Sequence, residues 1–301
     1  MGKVYDALSR AQNDAVEFDL FDEDVEDDGL DDEAEEAEAA ASGEQSEKFH
    51  FMRYSLGVTA MVAKPRAGNG NGSRALVSRS VWEPGRELTI EPDRLDPHLA
   101  AFNNLDPQSS LQYDKLALSL VSKAAEKGFK RVLVASAQTG EGRTSVTLNL
   151  ACALARARQR VLVVDCDLLN PSVLRALGLH AQIGMREVFE RGLPPNDATI
   201  AIRPYGFNVL PTARAVGNPA ELFAAPGFWK MLQSLDAGHD FILFDSSPLA
   251  TGGDSSLLVR FTDTTLMVVR AGHTTSAEMA KAIAPFAPDD ILGVVINRTR
   301  H

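Results

Sequence analysis

The chain has 301 residues, 45% of them apolar and 24% charged, which is the composition of a soluble globular protein of about two domains. Its longest apolar runs, such as VLVV at 161–164, fall far short of the roughly 20 residues that span a bilayer, and no charged-then-apolar leader opens the chain, so neither a membrane span nor secretion is expected. Two cysteines, Cys152 and Cys166, lie outside any CxxC or Cys/His spacing, which argues against disulfide scaffolds and zinc modules and for a reducing compartment.

The first segment, residues 1–13, places Val4, Ala7, Leu8 and Ala11 at three- and four-residue steps, the pattern of a short amphipathic helix. Residues 14–47 hold seventeen Asp and Glu and no Lys or Arg. Such a block cannot bury enough apolar surface to offset its ordering entropy, so a disordered acidic tract is expected. It also hides the charge of the remainder: without those seventeen, 24 acidic residues face 30 basic ones, against a whole-chain net of −11. Residues 48–109, punctuated by GNGNGS and five prolines, read as a linker with local structure.

From about 110 to 301 the texture changes. A helix over LQYDKLALSLVSKAAEK is followed by a strand (RVLVASA), a glycine loop, a helix (SVTLNLACALARARQ) and a second strand (RVLVVDCD). Further strands are FNVLPT, FILFDSS, TTLMVVRA and ILGVVINRT, with helical stretches around 219–235, 254–261 and 276–286. Fully apolar strands alternating with helices predict a three-layer α/β fold with a mostly parallel sheet, whose ligands sit at the carboxyl ends of the strands.

The stretch 131–151 runs from strand through glycine loop to helix, the context a phosphate loop needs. Against G-x-x-x-x-G-K-[ST], Ala137 takes the first small position, Gly142 the second, Arg143 the place of lysine and Thr144 that of the Mg²⁺ ligand. Thr139, Gly140, Glu141, Gly142, Arg143, Thr144 and Ser145 are therefore the expected nucleotide-binding residues, the amides doing most of the work beside a helix N-terminus. Arginine keeps the charge of lysine but is a longer planar fork, so nucleotide binding is expected with reduced turnover. Two further strands end in carboxylates, Asp165 and Asp167 after VLVV, and Asp245 after FILF. Carboxylates converging there hold Mg²⁺ or its waters.

In this order, SAQTGEGRTSVTLNLA, VLVVDCDLLNPSVLRALGL, NPAEL, FILFDSSPL and GVVINR resemble the bacterial protein-tyrosine kinases of the polysaccharide co-polymerase system, the cytoplasmic CpsD/CapB type, over about residues 95–301. The resemblance implies a P-loop NTPase fold related to MinD and ParA, with ATP and Mg²⁺ as cofactors. It makes 136–144 the Walker A loop, Asp165 and Asp167 the Walker A′ carboxylates, and Asp245 the Walker B aspartate. Arg143, Asp165 and Asp167 become the catalytic set, Thr144, Asp165 and Asp245 the metal set, and Asn297 the reader of the adenine edge. It further implies tyrosine phosphorylation in capsule or exopolysaccharide biosynthesis and export, a membrane co-polymerase partner at the inner face of the membrane, and self-association.

Departures from the family pattern bear on that function. The acidic and basic residues of its ring-forming helix are replaced by Leu111, Asp114 and Ala117, and the basic residues after Walker A′ by Leu169 and Asn170. The family's C-terminal tyrosine cluster is missing: the tyrosines are Tyr5, Tyr54, Tyr113 and Tyr205. A nucleotide-bound pseudokinase scaffold of the same system is therefore the alternative expectation. A ParA/MinD-type positioning ATPase is the third, weakened because Gln138 stands where that class carries a second lysine. Nucleic acid is not an expected partner, since the basic remainder shows no dense Lys/Arg stripe.

Overall fold

The computed structural model describes residues 82–102, 106–251 and 254–298. The helix expected over 1–13 and the acidic tract over 14–47 lie outside the described residues.

Eight strands form one sheet in the order β1-β4-β5-β3-β6-β2-β7-β8. They are β1 (Arg86–Thr89), β2 (Arg131–Ser136), β3 (Val161–Cys166), β4 (Ile200–Arg203), β5 (Phe207–Leu210), β6 (Phe241–Ser246), β7 (Thr264–Arg270) and β8 (Ile291–Asn297). Every neighbouring pair is parallel except β4 with β5, joined by a short turn in which Gly206 takes a positive φ of 79°. The central strands β2, β3 and β6 are buried at every residue, which is why they read as continuous apolar runs.

Alternate residues along those strands feed two cores, one on each face. Val132, Val161, Val163, Phe241 and Leu243 pack on α1 (Pro107–Lys127) and α2 (Arg143–Arg156). Leu133, Leu162, Val164, Ile242 and Phe244 face the other way, with Phe228, Met231, Leu232 and Leu235 of a helix over Pro226–Asp236 and with Ala282 and Ile283 of one over Ser276–Ile283. A strand's period of two thus converts an unbroken apolar run into a three-layer sandwich.

α1 starts where Pro107 supplies a preset φ and Asp106 caps the helix, accepting from Ser109 N at 3.0 Å, and it stops at Gly128 in the left-handed region. Ahead of it the chain is pinned by Asn149 of α2, whose Oδ1 accepts from Ala101 N (2.8 Å) and whose Nδ2 donates to His98 O (3.0 Å).

The residues expected to be linker therefore include folded structure. β1 and a 3-10 turn at Pro92–Arg94 belong to the domain, with β1 paired to β4 at the sheet edge. Trp82 packs edge-on against buried His239, with ring centroids 4.3 Å apart. A Cβ on Gly238 would come within 2.4 Å of the Trp82 ring, so that close approach requires glycine.

Candidate functional site

β2, β3 and β6 lie side by side at the centre of the sheet and all deliver their carboxyl ends to the same place. The loop after β2 turns through Gly140 (φ 81°) and Gly142 (φ 91°) into α2. Gly142 is the N-cap and contributes no side chain, so no side-chain cap covers the first turn of α2. Thr139 and Gly140 are exposed, whereas Gly142, Thr144 and Ser145 are half-buried. An uncapped helix N-terminus behind two left-handed glycines presents amide N–H groups and a partial positive charge to an anion.

Beside it, Thr144 Oγ1 donates to Asp245 Oδ2 at 2.7 Å. The same oxygen lies 2.7 Å from Ser172 Oγ, which must then be the donor, because the one hydroxyl proton of Thr144 is already committed. Thr147, one turn further along α2, donates to Asp245 Oδ1 at 3.4 Å. Asp165 and Asp245 are directly paired across β3 and β6. Asp165 Oδ2 accepts from Val173 N at 3.3 Å, while Oδ1 is buried without a hydrogen-bond partner. Asp167 accepts from Asn170 N at 3.1 Å.

Burial pushes the carboxyl of Asp165 well above the ordinary carboxylate range, and the neighbouring Asp245 and Asp167 add to the rise. Burial likewise lifts Asp245 to about 6, against the lowering pull of the Arg143 guanidinium and the Thr144 hydroxyl. Asp167 is raised more mildly, again by burial. An unpartnered carboxylate oxygen, a second carboxylate beside it and a threonine hydroxyl bonded to that second carboxylate form an oxygen donor set suited to a hard divalent cation that keeps some of its waters. Among the described residues, no group of three or more His, Cys, Asp or Glu forms a ready-made metal cage.

Arg143 differs from a lysine reaching over a phosphate loop. Its side chain is buried, with Nε donating to Ser246 O at 2.9 Å and Nη1 to Gln138 O at 3.0 Å and to Ser136 Oγ. Its Nη2 stands 3.9 Å from Asp167 Oδ2. Asn297, expected at an adenine edge, touches the loop itself: Nδ2 donates to Glu141 O at 2.9 Å, and Oδ1 accepts from Arg298 N at 2.9 Å.

Glu141 is fully buried, its carboxylate accepting from Gln138 N (2.9 Å) and from Thr274 Oγ1. A carboxylate folded into a phosphate loop was not foreseen. Thr147, Ser172 and Ser246 were also missed, and Ser136, the first residue of the expected loop, was not singled out as a contact, although Ser136 and Ser246 stand where two apolar strands end, and Thr147 lies three residues after Thr144 on one helix face. The departures on α1 also find their places. Ala117 is packed in the core, Asp114 pairs with Arg156 at 2.6 Å, and Leu111 is exposed.

A strand, a glycine loop opening a helix, and two neighbouring strands ending in paired aspartates define a P-loop nucleotide-binding α/β domain. The family model described as the CobQ/CobB/MinD/ParA nucleotide binding domain matches residues 132–301, more than half of the chain, and the chain belongs to that family. It is 26% identical over 206 residues to the tyrosine-protein kinase YwqD of Bacillus subtilis (strain 168), covering 68% of this chain and 87% of that protein. Among solved structures, the VpsO kinase domain superposes with a TM-score of 0.58 at 25% identity, covering 64% of this chain and 97% of that one. The chimerical protein CapA2B2 shares the fold, with a TM-score of 0.63 at 24% identity over 71% of this chain and 93% of its own.

Proposed function

We propose that this protein is an ATP-binding protein-tyrosine kinase-like component of capsule or exopolysaccharide biosynthesis and export. The observation that carries the reading is the Thr144–Asp245–Asp165 cluster set beside an uncapped, glycine-led helix N-terminus. Similarity to YwqD, a tyrosine-protein kinase, supports the acceptor class.

In this reading, the amides from Thr139 to Ser145 bind the nucleotide phosphates. Thr144, Asp245 and Asp165 hold Mg²⁺ directly or through its waters, and bound Mg²⁺ would neutralise charge on the phosphates. Asp165, with a free oxygen and a raised proton affinity, is the group able to hold a tyrosine hydroxyl and take its proton. Asp167 sits beside Arg143 and stabilises that guanidinium. Asn297 is poised at the loop to contact the base with the hydrogen-bonding capacity that its bonds to Glu141 O and Arg298 N leave over.

Acceptors within the folded domain are disfavoured. Tyr113 is half-buried against the core, with its phenol pushed up to about 12, and Tyr205 donates its hydroxyl to Phe102 O at 2.9 Å. Acceptors on this chain are therefore Tyr5 and Tyr54, with a second protein as the other source. A membrane co-polymerase partner would bring the protein to the inner face of the membrane. Among the described residues no helix is long and apolar enough to cross a membrane. The test is transfer of labelled phosphate from Mg²⁺-ATP to tyrosine, on the chain and on an added tyrosine copolymer, with the co-polymerase partner present. Transfer lost in Asp165→Ala supports the kinase reading, and absence of transfer despite nucleotide binding rejects it.

One observation favours a second reading, a nucleotide-bound regulatory subunit of the same system. Three of the five N–H donors of Arg143 are committed to protein oxygens, so its charge is held within the protein.

A further inference from the structure

The acceptors around Arg143 come from two stretches of the chain, one of them running from the end of β2 into the loop. Ser246 O belongs to the end of β6, Ser136 Oγ to the end of β2, and Gln138 O to the loop between β2 and α2. Asp167, just past β3, flanks the remaining nitrogen. The planar fork is what makes this possible, because a guanidinium directs several N–H bonds outward in one plane, whereas an ammonium is a compact point charge on a flexible stem. Only 8% of Arg143 is exposed. The two uncommitted hydrogens are on Nη2, the nitrogen that faces Asp167.

We propose that Arg143 is a positioning residue that ties the phosphate loop to the ends of β2 and β6, and that the site consequently takes nucleoside diphosphates and triphosphates with nearly equal affinity. The inference rests on the nucleotide-binding reading above. Phosphate recognition falls to the backbone amides at the start of α2, and the cation that would single out a terminal phosphate is held in the protein framework. Glu141 works in the same direction: its buried carboxylate already accepts from the Gln138 amide within the loop.

The experiment is calorimetric titration of Mg²⁺-ADP and Mg²⁺-ATP into the full chain, as wild type and as Arg143→Lys, with ligand-free thermal unfolding measured in parallel. The wild type is expected to bind the two nucleotides within about threefold of each other. Arg143→Lys should lower the ligand-free melting temperature, because the three-way tie is lost. It should also shift preference toward ATP by about tenfold or more, the worth of one charge-assisted bond to the terminal phosphate. Ser136→Ala provides a second, smaller perturbation if the lysine variant does not fold. It removes one anchor, keeps the arginine, and should move the ratio the same way by about threefold, below the tenfold expected for a full bond. A wild type that prefers ATP by tenfold or more overturns the inference while leaving the nucleotide reading intact. So does a ratio unchanged in both variants. Failure of both nucleotides to bind the wild type removes the nucleotide reading and this inference with it.

Discussion

Asp245 is a carboxyl whose burial is costly without a cation, and Asp245→Asn should make that cost measurable. The group is fully buried and titrates near 6 in the folded protein, against an ordinary 3.8. Between those values the folded chain retains a proton that the unfolded chain has released, so raising the pH favours unfolding. The gap of about two pH units, at about 1.4 kcal/mol per unit, corresponds to about 3 kcal/mol, absent below about pH 4 and fully expressed above about pH 6. Asparagine keeps an oxygen for the Thr144 hydroxyl and an amide for Thr147, and removes the charge. Urea unfolding of the ligand-free proteins from about pH 4 to pH 7.5 should show the variant gaining up to about 3 kcal/mol over wild type as the pH rises. The comparison must be between two proteins at each pH, because buried His239, held down to about 4, contributes the opposite slope across much of the same range. Parallel stability curves for the two proteins would refute the reasoning, since the buried carboxylate would then cost nothing.

Three further outcomes follow from close approaches and charge. Gly142→Ala places a Cβ 2.1 Å from Asn297 Nδ2 on a residue with φ of 91°, so it should destabilise the protein by about 1–3 kcal/mol in thermal unfolding and weaken Mg²⁺-nucleotide binding by at least about tenfold. Gly238→Ala drives a Cβ into Trp82 and should lift that ring off His239, read as a red shift of tryptophan emission in a Trp229→Phe background with about 1–3 kcal/mol of lost stability. Chelating Mg²⁺ should weaken ATP binding by at least about tenfold in calorimetry, since nucleotide phosphates would then meet Asp165, Asp167 and Asp245 against the guanidiniums of Arg143 and Arg175.

The central architecture was legible in the sequence for a physical reason. β2, β3 and β6 are buried on both faces, so they are written as apolar runs, and their polar residues appear only where the strands end. Asp165, Asp245 and the glycine loop can therefore be placed together from the sequence pattern. β1 was illegible because an edge strand needs no such pattern: RELT is four residues long, two of them charged, and mostly exposed. The helix at Met185–Arg191 was also passed over, being short and started by a backbone glycine rather than a strong side-chain cap. The direction of Arg143 was beyond sequence reasoning for another reason. Its acceptors, at positions 136, 138 and 246, include two backbone carbonyls, and carbonyls carry no residue signature.

The same geometry explains why the family's most recognisable residue can change while the loop persists. A lysine contributes charge to the ligand, and its loss to a neutral residue would take from Asp245 the cation that pulls against its burial. Arginine keeps that cation inside, bonds the loop to two strand ends, and leaves recognition to backbone amides that any sequence supplies. The position that tolerates no such change is Gly142, where Asn297 fills the space a side chain would need. Substitution at position 143 thus alters what the site can do to a phosphate more than whether a phosphate can bind, and this is the point at which kinase and nucleotide-bound regulator diverge.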